Sequence, residues 1–176
     1  DAARTAALAI AAAGGDLVAC RALLAEGVAV DARGPSGYGA LALASRWGHE
    51  RVVEALLSAG ATADRATESR YRSTPLMEAS RDGNTAIGAR LIAAGAQVDT
   101  GDRYGDHALN WAAYFGHAAF VAMLLEHHPD LERRGQTDDW PLEIALRQGH
   151  AEVARLLTDA GARARKGKDQ LKAAAQ

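Results

Sequence analysis

The apolar positions of this chain recur as a block. Gly15, Gly48, Gly83, Gly116 and Gly149 lie 33, 35, 33 and 33 residues apart. Seven residues before each stands a leucine (Leu8, Leu41, Leu76, Leu109, Leu142), and four before each an alanine (Ala11, Ala44, Ala79, Ala112, Ala145). Eight and nine residues after each of the first four comes an aliphatic pair, from Leu23 and Leu24 to Leu124 and Leu125, and in the fifth block Leu156 and Leu157 stand seven and eight after Gly149. Within a block the spacing predicts two short helices. Leu41, Ala44 and Ser45 follow an i, i+3, i+4 pattern, and Gly48 is a stop signal. A second helix is predicted from about Glu50 to Ala59, with Val52, Val53, Leu56 and Leu57 on one face. Polar, glycine-rich stretches such as 31–37 read as turns between blocks. A lone pair of such helices cannot shield its apolar face, whereas stacked pairs can, which predicts a solenoid.

Composition agrees with that picture. Alanine supplies almost a quarter of the 176 residues, and there are 18 glycines. Alanine permits close helix approach, and regularly spaced glycine suits repeated helix ends. A net charge of -2 argues against a basic nucleic-acid footprint. One cysteine, Cys20, leaves no disulfide framework or paired-cysteine zinc site. No run of about 20 uncharged apolar residues exists to span a membrane.

The blocks resemble the ankyrin repeat, whose pattern runs G-x-T-P-L-H-x-A-A-x-x-G-H, then V-V-x-x-L-L, then G-A and an exposed turn. The third block carries it as Ser73, Thr74, Pro75, Leu76, then Ala79 and Gly83; the fifth as Pro141, Leu142, Ala145, Gly149 and His150. The resemblance covers about residues 4–166. It implies an all-α ankyrin-repeat solenoid of about five stacked helix-turn-helix units with short turn fingers, as one domain over residues 1–176. Repeats are expected near 1–33, 34–66, 67–101, 102–134 and 135–166, followed by a capping helix over 167–176. Ala42, Met77, Asn110 and Glu143 stand at the family's histidine place, so part of the usual polar network between units is expected to be lost. His128 and Pro129 replace the Gly-Ala step, predicting a helix end without a glycine cap. Two extra residues between Ala66 and Tyr71 should lengthen one finger.

Catalytic and metal chemistry finds little support. Gly37, Gly39 and Ala42 match G-x-G-x-x-A, but no strand leads directly into the turn that a dinucleotide site requires. His49, His117 and His150 occupy one repeat position each and should lie about 10 Å or more apart, too far to share a metal. No G-x-S-x-G elbow is present, and Cys20 aligns with Val53 and Val121 on a packed face. The chain reads as a non-enzyme without cofactor or metal. The apolar stretch 8–13 aligns with the first helices and so is not read as a signal-peptide core. The sequence leaves the compartment unknown, slightly favouring the cytoplasm over an exported form whose upstream signal was removed. Arg163, Arg165, Lys166, Lys168 and Lys172 form a basic tail, read as a solvated cap.

The family resemblance implies that the fingers and first helices line a concave face. Expected there are Tyr38, Arg46 and Trp47; Arg70, Tyr71 and Arg81; Arg103, Tyr104, Asp106, Tyr114 and Phe115; and Arg147. Pro35, Ser36, Ser73, Asp82, Gln136, Thr137, Asp139 and Gln148 fall at equivalent places, while Trp111 aligns with Ile10, Leu43 and Ile144 and is expected in the core. Six of the nine aromatics lie in this set, and aromatics and arginine are what binding hot spots favour. The implied function is a monomeric scaffold that binds a protein partner carrying an acidic or mixed-charge patch. The alternative is a small-ligand or enzymatic module around the fourth repeat, which a deep pocket there would favour and a shallow groove would not.

Overall fold

The computed structural model describes residues 2–164. Within them lie five helix pairs: α1 (Ala2–Ala13) with α2 (Leu17–Ala25), α3 (Ala40–Arg46) with α4 (Glu50–Ser58), α5 (Pro75–Arg81) with α6 (Thr85–Ala93), α7 (Ala108–Phe115) with α8 (Ala118–Leu125), and α9 (Pro141–Gln148) with α10 (Ala151–Asp159). The only extended pairing among the described residues is an isolated bridge between Arg33 and Gly39. The all-α solenoid read from the sequence is therefore the fold. The expected capping helix, with Arg165, Lys166, Lys168 and Lys172, lies outside the described residues.

The first helices α1, α3, α5, α7 and α9 stack on one another, and the second helices form a parallel layer behind them. The first-helix layer is the more closely packed of the two. Side-chain size explains the difference. Ala11, Ala12, Ala44, Ala79, Ala112 and Ala145 are buried in the first layer, where they leave helix axes close together. The repeat leucines Leu8, Leu41, Leu76, Leu109 and Leu142 are buried between the layers, joined by Leu56, Leu91, Leu124 and Leu157 from the second helices. Cys20 is buried on this packed face, and its surroundings push the thiol pKa up through burial and the nearby Asp16 charge.

Helix ends follow local chemistry. Pro75 and Pro141 open α5 and α9, where a missing N–H costs nothing. The repeat glycines take φ of 72–81°, the left-handed region that few other residues adopt cheaply. Three of them have a second reason to be glycine. A Cβ on Gly15, Gly83 or Gly116 would lie 2.6, 2.7 or 2.5 Å from Nδ1 of His49, His117 or His150 in the next unit. Those rings reach across the junction. Nε2 of His49, His117 and His150 donates to the carbonyls of Ala13, Arg81 and Tyr114, at 2.9, 2.8 and 3.0 Å. Asn84 does the same at the remaining junction, its Nδ2 donating to the carbonyls of Ser45 and Arg46 at 3.0 Å. Each unit thus satisfies carbonyls at or near the end of the preceding first helix that the helix itself leaves unpaired.

The altered histidine places keep more polar structure than the sequence suggests. Asn110 Oδ1 accepts the His107 backbone N–H at 3.2 Å, and its amide donates to the Arg133 carbonyl at 3.1 Å. Glu143 Oε2 accepts the Trp140 backbone N–H at 3.0 Å. Met77 offers only a thioether to the Thr74 N–H, and Ala42 offers nothing. At the end of α8 the left-handed turn survives without glycine, because His128 itself takes φ 51°. The longer finger is held by Thr67 N–H to the Ser73 carbonyl and by Glu68 N–H to the Gly37 carbonyl.

Candidate functional site

The expected surface residues fall into two groups. Trp47, Tyr104, Tyr114 and Phe115 are exposed, at 56%, 37%, 49% and 40%. Arg70, Arg103 and Arg147 are exposed as well, while Tyr38, Arg46, Tyr71, Arg81 and Asp106 are half-buried. Ser73 and Asp139, expected to point outwards, are instead buried. Ser73 Oγ donates to Glu78 Oε1 at 2.5 Å, and Asp139 pairs with Arg147; in each case a neighbouring polar partner makes burial affordable.

Trp111 needs the opposite correction. It is half-buried rather than in the core, and it lines a groove on the first-helix side. The reason is helical geometry: two steps of about 100° from buried Leu109 carry the side chain most of the way to the other face. Its equivalents vary accordingly, from Ile10 at 72% exposure to buried Ile144.

The groove has a volume of about 680 Å³ and opens to solvent between the third, fourth and fifth units. Tyr71 from a finger and Trp111 from α7 meet in it edge to face, with ring centroids 5.9 Å apart and planes at 84°. Tyr104 leans on Tyr71 from the next finger at 6.0 Å. Tyr114 and Phe115 continue the lining at the end of α7, 5.0 Å apart and again edge to face. Of the twelve expected partner-binding residues, the structure gathers Tyr71, Arg81, Asp106, Tyr114 and Phe115 around this one groove. Trp47 with Arg46 stands apart, on the second unit.

Two carboxylates complete the lining. Asp102 Oδ1 accepts the backbone N–H groups of Tyr104 and Asp106, at 2.8 and 3.1 Å, and Oδ2 accepts the Trp111 indole N–H at 3.2 Å. Asp106 Oδ2 accepts the Gln136 N–H at 3.0 Å from the following finger. Burial pushes both carboxyls above the usual aspartate range, against these hydrogen bonds, and the Asp102 charge raises Asp106 further. Neither pairs with a cation among the described residues.

The arginines are largely engaged within the molecule. Arg46 lies over the Trp47 ring at 5.2 Å, Arg70 over Tyr71 at 5.1 Å and Arg81 over Phe115 at 5.7 Å. Arg46 Nε also stands 3.9 Å from buried Glu78. Burial raises the Glu78 pKa, opposed by the Ser73 hydrogen bond and by the charges of Arg46 and Arg81. Asp102, Trp111 and Glu78 are the participants that sequence reasoning missed. The clearest available signal was the repeat position that Trp111 and Glu78 share, which holds Ile10, Leu43 and Ile144 in the other three units.

The histidines do not gather. His49, His117 and His150 serve separate junctions, and no three His, Cys, Asp or Glu side chains converge among the described residues. No helix of the described residues is long and apolar enough to cross a membrane. A family model described as ankyrin repeats (3 copies) matches residues 1–67 and 63–135 of the chain. No curated protein matches it.

Proposed function

The chain belongs to the ankyrin-repeat family, and from that premise we propose that it is a protein-interaction scaffold whose partner lies along the concave, first-helix side. Ankyrin repeats are generally protein–protein interaction modules. One observation carries the reading for this chain. Of the six exposed large apolar side chains among the described residues, Trp47, Tyr104, Tyr114 and Phe115 stand on fingers or at the ends of first helices, and Tyr114 and Phe115 line the groove. Burying such rings against a partner removes much apolar area while their polar edges keep hydrogen bonds available. The surface is mixed in charge, with Arg70 and Arg103 on the fingers and Asp102 and Asp106 in the groove, which suits a mixed-charge partner segment. Because the groove opens to solvent and draws its lining from three units, it favours a peptide over an enclosed small molecule.

Differential affinity capture tests this. The bait is the whole chain, compared with a Trp47→Ala/Tyr114→Ala variant and with Val18→Ser, which alters an exposed residue of α2. A protein retained by the parent and by Val18→Ser but lost from the double variant supports the concave side. A protein lost only from Val18→Ser moves recognition to the second helices.

A further inference from the structure

The corner formed by Tyr71 and Trp111 is flanked by the carboxylates of Asp102 and Asp106 in the same groove. We propose that this corner receives the guanidinium of an arginine carried by an extended segment of the partner protein. This rests on the reading of the first-helix side as the binding face, and it specifies what that face recognises.

Three features lead there. The first is shape and quadrupole. Trp111 is fixed by its own N–H bond to Asp102, so its π-system is held against the groove without rotational freedom to lose. Indole is the best of the aromatic partners for a cation, and a planar guanidinium stacks on it as an ammonium cannot. Arg70 already lies over Tyr71 from outside the groove, an arginine–tyrosine contact that the chain makes with itself.

The second is unbalanced charge. Among the described residues, the groups bonded to the Asp102 and Asp106 carboxylates are neutral N–H donors, from Tyr104, Gly105, Asp106, Trp111 and Gln136. Both carboxylates are half-buried and the Asp102 charge bears on Asp106, so a cation entering between ring and carboxylate offsets the cost of burial and that repulsion. The groove's own cation does not fill this role. Arg81 is turned to the Phe115 ring and acts on the Glu78 charge. The third is continuity: Tyr114 and Phe115 extend the lining beyond the corner, giving the residues that flank the arginine a surface to lie on.

The test uses the whole ¹⁵N-labelled chain, whose three tryptophans supply indole N–H reporters at Trp47, Trp111 and Trp140. The probes are blocked pentapeptides, acetyl-Gly-Ser-X-Ser-Gly-amide, with X as Arg, Lys, Ala or Glu. The Arg peptide is expected to shift the Trp111 indole signal, with Lys weaker and Ala and Glu silent at that reporter. Asp106→Asn keeps an oxygen for the Gln136 N–H while removing the charge, so the finger contact has a replacement acceptor. It should weaken the Arg peptide about tenfold or more, the scale of a lost charge-assisted hydrogen bond. Unchanged Trp47 and Trp140 signals in the variant verify its fold; Trp111→Phe, followed by the backbone N–H signals of Tyr71 and Tyr104, is a second route to the same loss. A Trp111 signal unmoved by the Arg peptide, equal binding of the Lys peptide, or an Asp106→Asn variant that is folded and binds equally well overturns the assignment. A Glu peptide that shifts Trp47 and the Tyr114 region while the Arg peptide is silent overturns it too, yet leaves the concave side as the binding face. Shifts confined to α2 and α4 defeat both.

Discussion

Phe120 occupies the space that Gly88 leaves open across the junction of the third and fourth units. A Cβ on Gly88 would stand 2.7 Å from the Phe120 ring and the same distance from the Met123 methyl group. The equivalents of Gly88 are Cys20, Val53, Val121 and Ala154, and Phe120 is the bulkiest side chain at its own repeat position. One junction has therefore exchanged a pair of medium side chains for a very small and a very large one. Phe120→Ala is expected to cost ~3–5 kcal/mol and Gly88→Ala ~1–3 kcal/mol by overpacking, read from urea midpoints. Combining Gly88→Ala with Phe120→Leu should recover part of the Gly88→Ala loss; strict additivity would show that the two do not share the space.

The ring of His117 closes the third unit by donating to the Arg81 carbonyl. His117→Ala should lower stability by ~0.5–1.5 kcal/mol, the net worth of one such bond. His117→Asn should restore part of it, since Asn84 performs that task natively one junction earlier. Equal losses in the two variants, measured by denaturant unfolding, would mean that ring packing rather than the bond matters there.

Buried His107 makes stability depend on mild acid. Its Nδ1 faces the Asn110 backbone N–H at 3.4 Å, so Nε2 carries the ring hydrogen and donates it to the Asp130 carbonyl at 3.0 Å. Burial lowers its pKa, against the raising effects of the Asp130 bond and the Asp99 charge, while Arg133 lowers it further. The unfolded chain then binds a proton more readily than the folded one. The contribution is complete above the unfolded value near ~6.5 and is lost as pH falls towards the lowered folded value. Between about pH 7.5 and about pH 5.5 the parent should lose more stability than His107→Thr, which removes the titrating ring. An identical pH response in both would refute it.

On the surface, Trp47→Ala and Tyr114→Ala should each weaken partner binding, the stronger effect reaching at least ~2 kcal/mol, as hot spots do. Unfolding stability should move by less than ~0.5 kcal/mol, because both side chains are largely exposed. A variant that binds normally but melts early would reassign its residue to packing. Arg81→Ala is a different matter: it uncovers one side of Phe115 and removes a charge that favours ionised Glu78, so some loss of stability should accompany any loss of binding.

The framework was readable because it repeats. Leu109 could be placed in the core from four other leucines in register, and the structure buries it completely. Trp111 could not be placed in that way, since alignment with Ile10 and Ile144 averages over a position that is open in one unit and closed in another. Ser73 and Asp139 were misread for the same reason: their burial depends on Glu78 and Arg147, partners that the repeat pattern does not specify. Periodicity conveys what all units share, and the groove is assembled from what they do not.

The cross-junction tethers point in one direction. His49, Asn84, His117 and His150 each reach back to the unit before, onto carbonyls at or near the end of its first helix. Each tether is thus a plug and socket of common gauge, so a unit carrying both parts can be spliced in at the junctions that lack a private match such as Gly88 with Phe120. The groove has no such portability. Tyr71, Trp111 and Gln136 come from three successive units, so an insertion on either side of the fourth would dismantle the site even where the tethers are kept. Length is the property that this architecture can vary freely; recognition is tied to one place along it.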